Sequence, residues 1–355
     1  MKLKAEVLFL VAALLFVVTA TGRAADTIKL KYANYYHPSH RNAVLASQFC
    51  DEIKKRTNGR VEIAYFPGGT LATHPKMFQA VSTGVADIGL ANFAATRGRF
   101  PVMEVLDLPF GFPSGWVSTH VANDFYDKFK PKDFDSVQML FLHACGPNVV
   151  YTAKTPIKKL EDMRGVKLRA VSRVADVVKA LGATPMPVEM ADIYESLNKG
   201  VVEGAYGPFE QVGGYKLAEV VKYAAAPLQV GSVFTFYVVM NKTKWNSLPP
   251  DVKKVFADVS KEWIEKQGAT WNDVDREAIE YFKKSGGQIT YLNNEEGKKW
   301  TKAVEPVFAE FKKDLGTKGV SSAQVDAYAK FIQERIGFWS AKEKELKIAT
   351  PYGAE

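Results

Sequence analysis

The residues of this 355-residue chain best suited to catalysis or metal binding are five histidines and two cysteines. His37 and His40 are three apart, a spacing that can offer two imidazoles to one ion, but no cysteine or carboxylate cluster accompanies them. Helix capping and surface exposure are the simpler readings of both. His74, His120 and His143 stand singly, and His143 with Cys145 is not taken as a base–nucleophile pair. Cys50 falls in a helical pattern and Cys145 ends an apolar run. An exported chain could bridge them, and the alternative is two buried thiols that pack as small hydrophobes. No Gly-x-Ser-x-Gly elbow, phosphate-cradling Gly-x-x-x-x-Gly-Lys or Gly-x-Gly-x-x-Gly after a strand is present. No catalytic, cofactor-binding or metal-binding constellation emerges, which points weakly to binding rather than catalysis.

Any binding residues need a folded body to position them, and the chain's first residues say where that body resides. Lys2 and Lys4 give a positive start, interrupted by Glu6, and Val7 to Val18 is unbroken and apolar. Such a run is too short for roughly 30 Å of hydrocarbon but suits a signal-peptide core. Gly22 and Ala24 place small side chains for cleavage after Ala24, so residues 1–24 are expected to be removed and the protein to be periplasmic. A composition of 47% hydrophobic and 24% charged residues is that of a globular protein. Of the net charge of +8, Lys2, Lys4, Arg23 and Glu6 account for +2, leaving +6 on the remainder. Lysine pairs such as Lys158–Lys159 and Lys283–Lys284 are scattered among acids, which excludes a nucleic-acid stripe and leaves a mild preference for anionic solutes.

The length calls for two lobes. Ile28 to Tyr36 alternates as a strand, and a helix follows with Ala43, Ala46, Phe49, Cys50 and Ile53 on one face. Val61 to Phe66 is a strand. A helix through Phe78, Val81 and Val85 ends near Gly84, and Ile88 to Ala91 suits a buried strand. The rhythm returns with strands at Val149 to Thr152, Val166 to Ala170 and near Ala205, and with helices through Val174 to Leu181 and Ile193 to Lys199. Val233 to Met240 is a further apolar strand. From Asp251 to Lys284 apolar residues keep helical spacing for roughly nine turns, longer than one lobe needs, and only Gly268 discourages helix. More helices are predicted around Trp300 to Phe311 and Val325 to Trp339. The fold class is α/β, with two lobes, each a mixed sheet flanked by helices. The expected boundaries are 25–147 with 233–274 for one lobe, 148–232 with 275–340 for the other, and a tail at 341–355.

Motifs in a fixed order carry a resemblance. Thr155-Pro156, then Leu160-Glu161-Asp162-Met163-Arg164-Gly165-Val166-Lys167-Leu168-Arg169, then Gly182-Ala183-Thr184-Pro185 and Asp192-Ile193-Tyr194-Glu195-Ser196-Leu197-Asn198-Lys199-Gly200-Val201-Val202-Glu203-Gly204 resemble the signatures of solute-binding proteins of TRAP (tripartite ATP-independent periplasmic) transporters, the DctP-like family. Asn34, His37-Pro38, Thr57-Asn58-Gly59, Gly84-Val85-Ala86-Asp87-Ile88, Leu108-Pro109-Phe110 and Asn241-Lys242 fit the same pattern. The resemblance implies two lobes on hinge strands braced by one long helix, closing over a small organic carboxylate that is delivered to a TRAP membrane permease. It implies no enzyme activity and no cofactor. A monomer is expected, with no nucleic-acid partner.

At the family position, Arg169 makes a bidentate salt bridge to the ligand carboxylate, a geometry that suits a planar guanidinium at a strand end. The alternative is a structural arginine neutralising an internal acid such as Glu203. Members that bind acidic sugars or dicarboxylates carry a second arginine before Pro156, where this chain has Asn148 and Val149. Tyr206-Gly207-Pro208-Phe209 replaces a Glu-Asn pair before proline. These departures suggest a monocarboxylate with an apolar or aromatic body, lined by Asn34, Tyr35, Asn92, Phe93, Met190, Tyr206, Phe209 and Phe234. The alternatives are a dicarboxylate or 2-oxo acid ligand, a metal-bridged carboxylate, a sensor or ATP-driven importer of the same shape, and an exported hydrolase or lyase.

Overall fold

The computed structural model describes residues 27–352; the expected leader, residues 1–24, lies outside them. Along the first lobe run β1 (Ile28–Asn34), α1 (Arg41–Arg56), β2 (Val61–Phe66), α2 (Met77–Ser82), β3 (Ile88–Asn92), α3 (Gly115–Phe129) and β4 (Val137–Ala144). The second lobe contains β5 (Asn148–Thr152), β6 (Lys167–Arg169), α4 (Ser172–Ala180), β7 (Thr184–Met186), α5 (Ile193–Asn198), β8 (Gly204–Pro208), α6 (Glu210–Gly214) and β9 (Tyr223–Ala226). The chain then returns through β10 (Thr235–Asn241), α7 (Lys242–Ser247) and α8 (Pro250–Lys284), crosses again to β11 (Gln288–Tyr291), and ends in α9 (Asn294–Thr317) and α10 (Ser322–Glu345).

Two mixed sheets result, ordered β2-β1-β3-β10-β4 and β11-β9-β5-β8-β6-β7. In β1 the lysines face solvent while Leu30 and Tyr32 are buried, as alternation requires. The central strands β3 and β10 are buried throughout, and β10 lies antiparallel to both β3 and β4. A largely apolar, fully buried strand such as β10 must be covered on both faces, which is why a segment far along the chain returns to fill the middle of the first sheet.

Two segments, 145–147 and 227–234, join the sheets and are bonded to each other. Cys145 N donates to Phe234 O at 3.1 Å, and Asn148 N donates to Ser232 O at 2.8 Å. The long helix α8 starts with Pro250 in its first turn, where a missing N–H costs nothing. It packs on α1, α3 and β4 of one lobe and on α6 and β11 of the other.

Several local expectations change. Val85 lies beyond α2 and is 50% exposed, so it is not on the buried helical face. Helix α3 occupies a stretch for which no element was predicted, and strand β4 is the apolar run that ends at Cys145. The last two helices are longer than their apolar stripes, because caps at Asn293 and Ser321 start them early and charged turns prolong them. Cys50 and Cys145 are both buried and unbonded to each other. Cys50 Sγ donates to the Ala46 carbonyl, and Cys145 Sγ accepts from Phe234 N at 3.1 Å. No helix among the described residues is long and apolar enough to cross a membrane.

Candidate ligand-binding site

Strand β6 is three residues long, with Lys167 turned to solvent and Leu168 and Arg169 turned inward. Arg169 ends the strand at the cleft between the sheets and is only 6% exposed. Its Nε donates to the Val188 carbonyl at 2.9 Å. Among the described residues no carboxylate pairs with it, and its terminal amino groups meet no protein acceptor. Glu203 is engaged elsewhere, accepting from Lys167 N at 2.9 Å. Burial lowers the guanidinium pKa, while Tyr151, Glu189, Tyr215 and Tyr35 nearby favour the charge. A buried cation with free donors is costly unless an anion completes it.

The first lobe brings a column of rings to this cation. His74 stacks on Tyr35 with centroids 4.0 Å apart, Tyr35 on Tyr36 at 4.3 Å, and Tyr36 on His40 at 4.0 Å. Tyr35 and Tyr36 leave the end of β1, where Asn34 fixes the turn: its Nδ2 donates to Tyr65 Oη at 3.0 Å and its Oδ1 accepts from Tyr36 N at 3.0 Å. His74 opens the 3-10 turn His74–Lys76. Burial, with the Arg169 charge, lowers its pKa to about 4, against the opposing effect of Asn92. The imidazole is therefore neutral near pH 7, and its Nε2 is buried without a hydrogen-bond partner.

The residues expected to line the cleft fall into two groups. Tyr35 lies near enough to Arg169 to favour its charge, with Asn92 beside His74; Asn92 also caps the turn that follows β3, accepting from Ala95 N at 3.1 Å. Asn34 is fully buried with both polar ends occupied, so it braces the ring column from behind. Phe93 is packed among Phe100, Phe134 and Tyr237 inside the first lobe. Phe209 meets Phe282 edge-on in the second core, which Met190 also joins. Phe234 belongs to the larger core and holds Cys145 through its backbone. Tyr206 is buried, with its hydroxyl accepting from Ser232 Oγ at 3.3 Å. Asn148 Nδ2 donates to that same Ser232 Oγ at 3.2 Å, and Asn148 Oδ1 is buried without a partner.

Sequence reasoning missed His74, Tyr36, Tyr151 and Tyr215. The available signal for His74 was its place: a histidine in the loop that follows a strand of a parallel pair, at the end where α/β sheets bind ligands. His40 caps α1 as read, accepting from Asn42 N, yet it is buried rather than on the surface. Its Nε2 lies 2.6 Å from Glu210 of the second lobe. His37 is exposed. Among the described residues no group of three or more His, Cys, Asp or Glu is arranged to hold a metal ion.

Comparison with known proteins places this architecture. The model of the family described as bacterial extracellular solute-binding protein, family 7 (DctP), matches residues 32–314. The C4-dicarboxylate-binding periplasmic protein DctP of Vibrio cholerae is 24% identical over 332 residues, spanning 89% of this chain and 97% of the relative. A TRAP periplasmic solute-binding protein from Desulfovibrio salexigens superposes with a TM-score of 0.78 at 30% identity, covering 86% of this chain and 95% of its own. One from Rhodoferax ferrireducens T118, solved with copurified benzoate, gives a TM-score of 0.82 at 24% identity, covering 88% of this chain and all of its own. The chain thus belongs to the DctP family of extracellular solute-binding proteins, the receptors that capture small organic acids for TRAP transporters.

Proposed function

We propose that this receptor binds a monocarboxylate with an aromatic or apolar body, its carboxylate held by Arg169, and passes it to a TRAP permease unchanged. One observation carries the reading: Arg169 is buried at the cleft with its two terminal amino groups unoccupied and no acid beside them in ion-pair contact. A planar guanidinium in that state fits both oxygens of one carboxylate, and lobe closure dries the pair and strengthens it. The ring column starting at His74 and Tyr35 offers flat apolar surface next to that anchor. A second carboxylate would meet neutral His74 and the amide Asn148 rather than a second cation. The benzoate-bound relative supports the same ligand class. Residues 1–24 serve in this reading as a cleaved export signal.

Titration calorimetry on protein stripped by unfolding and refolding tests it, with benzoate, 3-hydroxybenzoate, succinate and glucuronate as ligands. Aromatic monocarboxylates are expected to bind tightest. Arg169→Ala should weaken them by at least about 30-fold, since losing one partner of a buried charge pair costs about 2–5 kcal/mol. Tight binding confined to succinate or glucuronate, or an Arg169→Ala protein that binds benzoate like wild type, refutes the proposal.

A further inference from the structure

Two lobes that close over a ligand need something to hold them closed, and one buried bond joins the ring column to the opposite lobe. His40 Nε2 lies 2.6 Å from Glu210 Oε1, with the two residues 8% and 5% exposed. His40 is the N-cap of α1, a first-lobe helix, and Glu210 opens α6 directly after β8 of the second sheet. The other ring nitrogen settles the tautomer: His40 Nδ1 accepts from Asn42 N at 3.2 Å, so it carries no hydrogen. The hydrogen is on Nε2 and is donated to Glu210. The link is therefore a short hydrogen bond from the imidazole Nε2 to the Glu210 carboxyl group in dry surroundings.

Both ends of this bond lead to the ligand cleft. On the first-lobe side His40 is the last ring of the column that begins with His74 beside Arg169. On the second-lobe side Glu210 follows β8, which pairs with β6, the strand that ends in Arg169. The Glu210 backbone is itself tied to α8, donating to Asp275 Oδ1 at 2.8 Å. We propose that His40 and Glu210 are positioning residues that fasten the lobes and hold the Tyr36–Tyr35–His74 column against Arg169, and so set how long a bound acid is retained.

The groups facing the pair come from every element packed around it. They are Tyr35 and Tyr36 after β1, Tyr215 after α6, Tyr151 on β5, Asp275 on α8, and His143 and Cys145 at β4. Burial raises the tyrosines, the thiol and the Asp275 carboxyl and lowers His143 to about 3.

For its ligand arm the proposal rests on the carboxylate reading of the cleft, and the experiment separates the two. Glu210→Gln keeps the shape without the charge, and His40→Asn keeps a helix cap without the link. Stopped-flow kinetics with benzoate should show dissociation about tenfold faster in each variant, with association changed less than about threefold. Small-angle scattering of the ligand-free variants should show a larger radius of gyration than wild type. Variants that melt lower yet keep wild-type dissociation and scattering have a merely structural pair, which overturns the proposal. If benzoate binds to neither wild type nor variants, the carboxylate reading fails, and scattering alone decides the pair: expansion supports it and no change overturns it.

Discussion

His74 shows how strongly one site residue can depend on its surroundings. Half-buried against Tyr35 and beside Arg169, it has its pKa lowered to about 4 from the usual 6.5, with the burial of its ring the larger cause. Its pKa is lower folded than unfolded, so folding expels a proton. The stability it permits is complete above about pH 6.5 and is lost progressively as pH falls towards 4. The melting temperature of the protein should therefore drop across that window, and His74→Asn, which cannot charge, should flatten the slope. Thermal melts at half-unit pH steps decide it, and identical slopes would show that His74 is not held neutral. His143, lowered to about 3 by burial, is intact in both proteins and affects them equally. The histidine's role was not legible in the sequence, because a lone residue in a loop has no periodicity to reveal its direction. Arg169 stood out in the sequence because a long ordered motif surrounds it, and its ligand role is the proposal made above. The rings of Phe93, Phe209 and Phe234 were expected at the cleft but pack into cores, since strand twist and the turn after each strand decide which way a terminal side chain faces.

At the scale of elements, the crossing of α3 and α8 explains a glycine that otherwise opposes its own helix. Gly268 sits inside α8, where glycine costs about 1 kcal/mol relative to alanine. A Cβ there would stand 3.0–3.1 Å from Trp116 of α3. Gly115 of α3 stands in the same relation to α8, where an added Cβ would collide with Trp271 Cβ and come within 3.3 Å of Gly146 N. Each helix thus provides a glycine under the other's tryptophan, and Trp116 N donates to Asn272 Oδ1 at 3.0 Å to fix the approach. Gly115→Ala should therefore destabilise by about 1–3 kcal/mol through overpacking. Gly337→Ala, in the open interior of α10 with nothing within 4 Å of the new carbon, should stabilise by up to about 1 kcal/mol. Urea midpoints for the two proteins should move in opposite directions; a shared direction would mean that the crossing tolerates a methyl group. The long helix itself was legible, since its apolar spacing persists for nine turns. Strand β11 (Gln288–Tyr291) was not, because it is short, half-exposed and defined by its pairing with β9 rather than by its own pattern.

Across the whole molecule, closure places charge in the interior on the far side of the ring column as well. Arg173 of α4 donates through Nε to Glu104 Oε2 at 2.9 Å across the lobes, and through Nη1 to Asp314 of α9 at 2.7 Å. Glu104 is fully buried and Arg173 nearly so, whereas the Asp314 side chain is half exposed. Close by, Arg97 reaches Asp176 on the surface, where an ion pair contributes less than about 1 kcal/mol. The two pairs therefore differ in kind. Removing the Arg173 charge leaves the Glu104 carboxylate buried and uncompensated, a loss of about 3–5 kcal/mol, unless the lobes part and water reaches it. Replacing both charges together removes the problem, since a neutral amide at position 104 can still accept from Gly98 N as Glu104 does. Arg173→Met should accordingly weaken benzoate binding and lower stability, while Glu104→Gln/Arg173→Met should recover most of both. Arg97→Ala should change either by less than about 1 kcal/mol. Titration calorimetry and urea unfolding on wild type, Arg173→Met, Glu104→Gln and the double variant form a double-mutant cycle, with Arg97→Ala as the surface control. If the double variant is as weak as Arg173→Met alone, the cost lies in lost packing against Phe311, over whose ring the guanidinium sits at 4.8 Å, and not in a stranded charge.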